Sequence, residues 1–174
     1  MQIDRLTDQT IEIYLQIARA ATSSSDPDLS IKMLNAAYDQ IKNVYQKPEP
    51  KTLANLAELL LLNKSKTRAE EIYSLALRAC KQSRIKDNWL QARICDGLTE
   101  IYARQWQFEK AEKNCRQAIK NLSAIAEVDP ALLSSRLRKL ALLNLQRGNG
   151  EKARELFQQA KVLAPNTVDR GLVQ

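Results

Sequence analysis

Three stretches of the chain align with one another without a gap: Leu56-Ala57 to Ala69, Tyr73 and Ala76; Leu98-Thr99 to Ala111, Cys115 and Ala118; and Leu140-Ala141 to Ala153, Phe157 and Ala160. Their shared alanines stand at 69, 111 and 153, so the same text returns every 42 residues. A weaker copy, Ile17-Ala18 followed by Ser30, Leu34 and Ala37, lies 39 residues ahead of its neighbour. Self-similarity at such a spacing means that one supersecondary unit is used repeatedly and that neighbouring units bury each other's apolar faces.

The unit reads as a helical hairpin. A large residue on its first helix (Ile17, Leu56, Leu98, Leu140) faces a small one on its second (Ser30, Ala69, Ala111, Ala153), which lets the two backbones approach closely. Ala, Leu, Lys, Glu, Gln and Arg dominate between only 4 glycines and 5 prolines, as helices require. Asp26-Pro27 and Asp129-Pro130 pair an N-cap with proline at the first helical position, Glu49-Pro50 opens another helix, and Asp87 caps the one that begins near Asn88. With turns at 22–25, 63–66, 105–107 and 148–150, eight helices are expected over 7–21, 27–45, 50–62, 67–85, 88–104, 108–124, 130–147 and 151–164.

These residues resemble the tetratricopeptide repeat (TPR) family, whose helix–turn–helix unit of about 34 residues carries large and small residues in this order. Leu98, Tyr102, Phe108, Ala111 and Ala118 match it in the third copy, and Leu140, Gly148, Ala153, Phe157, Ala160 and Pro165 in the fourth. The family's early Trp has no counterpart, and its Gly is replaced by Ala18, Ala57, Thr99 or Ala141. The resemblance implies an all-α fold: a right-handed α-solenoid of four antiparallel hairpins, a TPR-like superhelix. It would form a single repeat domain over 1–167, with units about 11–44, 50–83, 92–125 and 134–167 and a loose tail at 168–174. The longer units look similar to those of kinesin light chain.

In that family the first helices line a concave groove that holds a protein or peptide. The groove positions carry over to Arg19, Lys51, Glu58, Arg93, Asp96, Glu100, Arg104 and Arg138. Apolar contacts would come from Leu15, Leu61 and Leu142. The Lys and Asn by which some members clamp a C-terminal carboxylate are missing. A simpler reading of Arg93, Asp96, Glu100 and Arg104 stands beside this one: their helical spacing lets them pair with one another. Trp89 and Trp106 are expected in core or rim packing, with a second interface implied where either is exposed.

Composition narrows the chemistry. The chain has no histidine, which removes the commonest general base and metal ligand, and it shows no Gly-rich phosphate loop and no nameable set of nucleophile, base and oxyanion donors. The expected protein is not an enzyme and needs no cofactor or metal. Cys80, Cys95 and Cys115 lack metal or redox spacing and read as small apolar fillers. The +7 formal charge favours a partner of acidic character. Basic clusters at Lys64, Lys66 and Arg68, at Lys81, Arg84 and Lys86, and at Arg136, Arg138 and Lys139 keep RNA or DNA as the alternative partner, though without interleaved aromatics. Neither a signal peptide nor a membrane-spanning run is visible, so a cytoplasmic adaptor, assembly factor or scaffold, without membrane insertion, is the expectation.

Overall fold

Cap chemistry sets where the helices begin. Asp26 Oδ1 accepts a hydrogen bond from the Leu29 amide at 3.1 Å, Asp87 Oδ1 from the Leu90 amide at 2.8 Å, and Asp129 Oδ1 from the Ala131 amide at 2.8 Å. Each satisfies an amide that the first helical turn leaves without a carbonyl. Glu49 makes no such bond, and Pro50 opens its helix unaided. The computed structural model describes residues 2–24, 26–43 and 48–165, with side chains from residue 9 onward. Among these residues there are eight helices and no strand: α1 (Gln2–Ser23), α2 (Pro27–Asn43), α3 (Pro50–Leu62), α4 (Lys66–Gln82), α5 (Asn88–Arg104), α6 (Phe108–Ser123), α7 (Pro130–Gln146) and α8 (Gly150–Leu163). The expected boundaries hold to within three residues except at the start of α1, which begins at Gln2. Residues 44–45 of the expected second helix and the expected tail lie outside the described residues.

The chain forms two compact units, Met1–Leu90 and Gln91–Gln174. In the first, α1 packs against α2 and α3 against α4, and α1 and α2 both touch α3. In the second, α7 packs against α6 and α8. Ala111, Cys115, Leu140, Ala141, Leu143, Ala153 and Leu156 form one apolar cluster there, with Tyr102 and Phe108 packed against it.

Burial follows the repeat. Ser30, Ala69, Ala111 and Ala153 are fully inaccessible, and so are Ala18, Ala57, Thr99 and Ala141, which stand where the TPR unit has its glycine. Small residues are thus buried on both helices of each hairpin, and Leu56, Leu98 and Leu140 are buried too. Ile17 departs from expectation: it is exposed, and Ala18 takes the inward position. The inward stripe of α1 is Ile11, Leu15, Ala18 and Ala21, and Ile17 falls outside it. Leu56 is buried because α3 is covered on more than one side, with eight of its residues buried. All three cysteines are buried and free, as fillers are; burial, aided by the charge of Asp96, pushes the Cys115 thiol up to about 12.

The turns inside three hairpins share a backbone signature. Amides of Ser65, Gln107 and Asn149 donate to the carbonyls of Leu60, Tyr102 and Asn144, each at 2.9 Å and each five residues back. This is the 6→1 bond of a Schellman motif, and it needs a left-handed residue just before the donor. Lys64 (φ 63°), Trp106 (φ 61°) and Gly148 (φ 79°) supply it, again 42 residues apart. Only Gly148 adopts that conformation without steric cost. Lys64→Gly is therefore expected to raise unfolding stability by about 1 kcal/mol, and Gly148→Ala, where a Cβ meets nothing within 4 Å, to lower it by about the same. Urea midpoints at constant slope measure both.

Candidate partner-binding site

Five of the expected groove residues belong to the second unit. Arg93, Asp96, Glu100 and Arg104 follow one another at helical spacing along α5, and Arg138 lies on α7. The two helices are tied by Arg136, which donates from Nε (3.0 Å) and Nη2 (2.7 Å) to Asp96 Oδ2. One helical turn from Asp96, Arg104 Nη2 pairs with Glu100 Oε1 at 2.6 Å, and both side chains remain substantially exposed. Arg93 and Arg138 are half-buried. On α7, Leu142 and Leu145 stand three residues apart at 43% and 49% exposure, which leaves two large aliphatic side chains in water near the C-terminal end of that helix.

The remaining expected residues, Arg19 on α1 and Lys51 and Glu58 on α3, belong to the first unit. Arg19 and Lys51 are exposed and Glu58 is half-buried. Lys51 edges a shallow, polar depression of about 270 Å³ lined with Gln9, Glu12, Glu49, Thr52 and Asn55. Leu15 is fully buried, so it is part of the core and makes no ligand contact; Leu61 is half-buried. Trp106 also departs from expectation. It is 75% exposed on its left-handed turn, touching Phe108 edge-on at a centroid distance of 5.7 Å, where core or rim packing was expected.

Charges that the sequence pattern did not single out hold neighbouring helices together. Glu112, nearly buried on α6, takes Arg116 Nη2 at 2.5 Å and Nε at 3.0 Å, and also pairs with Arg147 at the end of α7; Arg147 Nη2 reaches Glu109 at 3.1 Å. Burial alone would raise the Glu112 carboxyl, but the hydrogen bonds from Arg116 and Arg147 outweigh it and hold the group below its ordinary value of 4.5. A depressed folded value means stability that is present above the unfolded value and is lost as pH falls through the folded one. Glu112→Gln should therefore lower stability at pH 7 and shrink the further loss seen below about pH 4, as urea midpoints across pH would show. In the first unit, Glu71 behaves likewise: hydrogen bonds from Lys42 (2.5 Å) and Tyr38 (2.5 Å) hold its carboxyl low. Arg68, from the first basic cluster, lies over the Tyr38 ring at 5.1 Å and bonds to Asn35.

Comparison with known proteins bears on the fold. No family model matches the chain, and no curated protein matches it in sequence. Solved structures do match in shape. BtubC (BKLC) from P. vanneervenii superposes with a TM-score of 0.75 at 20% identity, over 94% of this chain and 67% of that one. The kinesin light chain-type TPR-like repeats of Podospora anserina give 0.74 at 15% identity, over 94% and 78%. Pseudomonas aeruginosa PilF gives 0.63 at 19% identity, over 92% and 64%, so this chain spans about two thirds of the length of BtubC and PilF. The fold is thus that of the TPR-like helical repeat proteins, an α-solenoid of helical hairpins. Among the described residues no helix is long and apolar enough to cross a membrane, and no three His, Cys, Asp or Glu side chains gather as a metal site needs.

Proposed function

We propose that this chain is a non-enzymatic interaction module, an adaptor, assembly factor or scaffold, that holds another protein or peptide against the first-helix face of its repeats. The observation that carries the reading is the exposure of Leu142 and Leu145 on α7, the helix of Arg138 and the one tied through Arg136 and Asp96 to α5, which holds Arg93 and Arg104. Exposed leucines and arginines on one pair of helices suit a segment with aliphatic side chains and carboxylates. The aliphatic contacts supply much of the affinity, while the arginines orient the partner and raise its rate of encounter. Within the second unit, Asp96 and Glu100 make the α5 face mixed rather than uniformly positive, which favours one register of a bound segment; Arg19, Lys51 and Glu58 are the corresponding charged residues of the first unit. The setting proposed is the cytoplasm.

Capture on the immobilised full chain from native lysate, with and without nuclease, tests the reading. A stoichiometric protein that survives nuclease and is released along a shallow salt slope is the expected result. Retained RNA or DNA, released along a steep log–log slope, would replace the reading with one in which phosphates bind the basic surface.

A further inference from the structure

The five residues between α4 and α5 form a loop whose two ends are pinned. At one end the Ser83 amide donates to the Ala79 carbonyl at 3.0 Å, and Ser83 Oγ accepts from the Ile85 amide at 3.2 Å. At the other, Asp87 Oδ1 caps α5 through the Leu90 amide at 2.8 Å. Between these anchors Arg84, Ile85 and Lys86 are held out in water. Ile85 is 80% exposed, more than any other large hydrophobic side chain among the described residues. Trp89, in the first turn of α5, is 47% exposed, and Lys81, on the last turn of α4, is exposed as well. Asp87 is the one acidic residue from 81 to 89, and its Oδ1 is engaged in the cap.

We infer that this loop is a docking point for an anionic lipid bilayer surface. An aliphatic tip, an indole a few residues away and three cations around them match the three layers that such a surface presents. Lys81, Arg84 and Lys86 meet anionic headgroups, Trp89 lies at the interface, and Ile85 enters the acyl boundary. A protein partner would have to offer a cavity shaped to a protruding loop, whereas a bilayer deforms to accept one. Nucleic acid would use the cations and could stack on the indole, but it leaves Ile85 in water. The engagement is peripheral and shallow, without a spanning segment.

The test uses the full chain with Trp106→Phe, so that Trp89 is the sole tryptophan, and vesicles of phosphatidylcholine with or without phosphatidylserine. Co-sedimentation with the phosphatidylserine vesicles alone, weakened by salt, with a blue shift of Trp89 emission, is the expected result. Ile85→Asp should cut the partition about tenfold or more, because it removes one buried aliphatic side chain and places a carboxylate against anionic lipid. Reversal of the charges by Lys81→Glu, Arg84→Glu and Lys86→Glu together should abolish it. Ile85 lies outside the core, so a circular dichroism spectrum identical to that of the parent confirms that either variant is folded. Absence of binding to phosphatidylserine vesicles overturns the inference. So does a partition unchanged by Ile85→Asp, or retention of single-stranded RNA that depends on the three cations while vesicles are ignored.

Discussion

Leu140→Ala is expected to destabilise the second unit by about 2–5 kcal/mol. The side chain is almost wholly buried on α7, in the cluster that also holds Ala111, Cys115, Ala141, Ala153 and Leu156. Leu143 and Leu156 share that cluster, and Tyr102 and Phe108 pack against it, so truncation leaves a cavity that these larger side chains fill only in part. The same argument run in reverse predicts that Ala111→Leu is also harmful, by about 1–3 kcal/mol, since Ala111 is fully inaccessible within the same apolar cluster. Urea titrations followed by circular dichroism measure both. Leu142→Ala, two residues from Leu140 on an exposed face, serves as the control and should change the midpoint little. If Leu140→Ala and Leu142→Ala cost the same, the assignment of inward and outward faces of α7 is wrong.

Arg104→Glu combined with Arg138→Glu is expected to weaken partner retention about tenfold or more while leaving the far-ultraviolet spectrum unchanged. Both residues lie in the second unit, on the two helices that Arg136 and Asp96 tie together. Reversal removes two cations from the face and turns attraction for carboxylates into repulsion. At Arg104 the fold loses little. Arg104 is exposed and its ion pair with Glu100 is worth only a few tenths of a kcal/mol, so a like charge at that spacing costs about as little. Arg138→Glu alone, and Arg104→Glu alone, should each give part of the loss. Retention by the double variant equal to that of the parent would move the binding site off this face.

Much of the fold is legible in the sequence because repetition reports on packing. A small residue recurring every 42 positions is what two close helices need, and the starts of α4, α6 and α8 at Lys66, Phe108 and Gly150 keep the same spacing. Caps are legible too, since Asp26, Asp87 and Asp129 act through a local side-chain bond that depends on no distant partner. What the pattern misses depends on surroundings. Ile17 aligns with Leu56 by position, yet the helix that carries it is covered along a narrower stripe. Trp106 stands where the unit favours glycine, and a bulky residue there has to project outward, a consequence of the positive φ that composition alone does not reveal. Lys64 and Trp106 hide the turn signal that Gly148 displays openly.

The candidate face was legible only as a set of positions. Arg93, Asp96, Glu100 and Arg104 fall on one side of α5 by periodicity, but which of them bind one another is decided by a second helix. Asp96 turns to Arg136, forty residues on, while Glu100 keeps to Arg104. No spacing rule within one helix predicts the first pair, because it depends on how α7 is placed beside α5. Leu145 was missed for a related reason: its exposure follows from which side of α7 the core takes, and a leucine-rich helix offers several choices. The tie between Glu112 and Arg147 likewise joins residues whose partnership only the packed hairpins create.

The most direct test of the proposed binding face is photo-cross-linking from it. With p-benzoyl-phenylalanine placed at Leu142 in one variant and at Gln158, exposed on α8, in another, each variant is irradiated in nuclease-treated native lysate. The account predicts a discrete protein adduct from position 142 that is absent from position 158 and is lost when Arg104→Glu and Arg138→Glu are added. An adduct formed from position 158 and not from position 142 would contradict it.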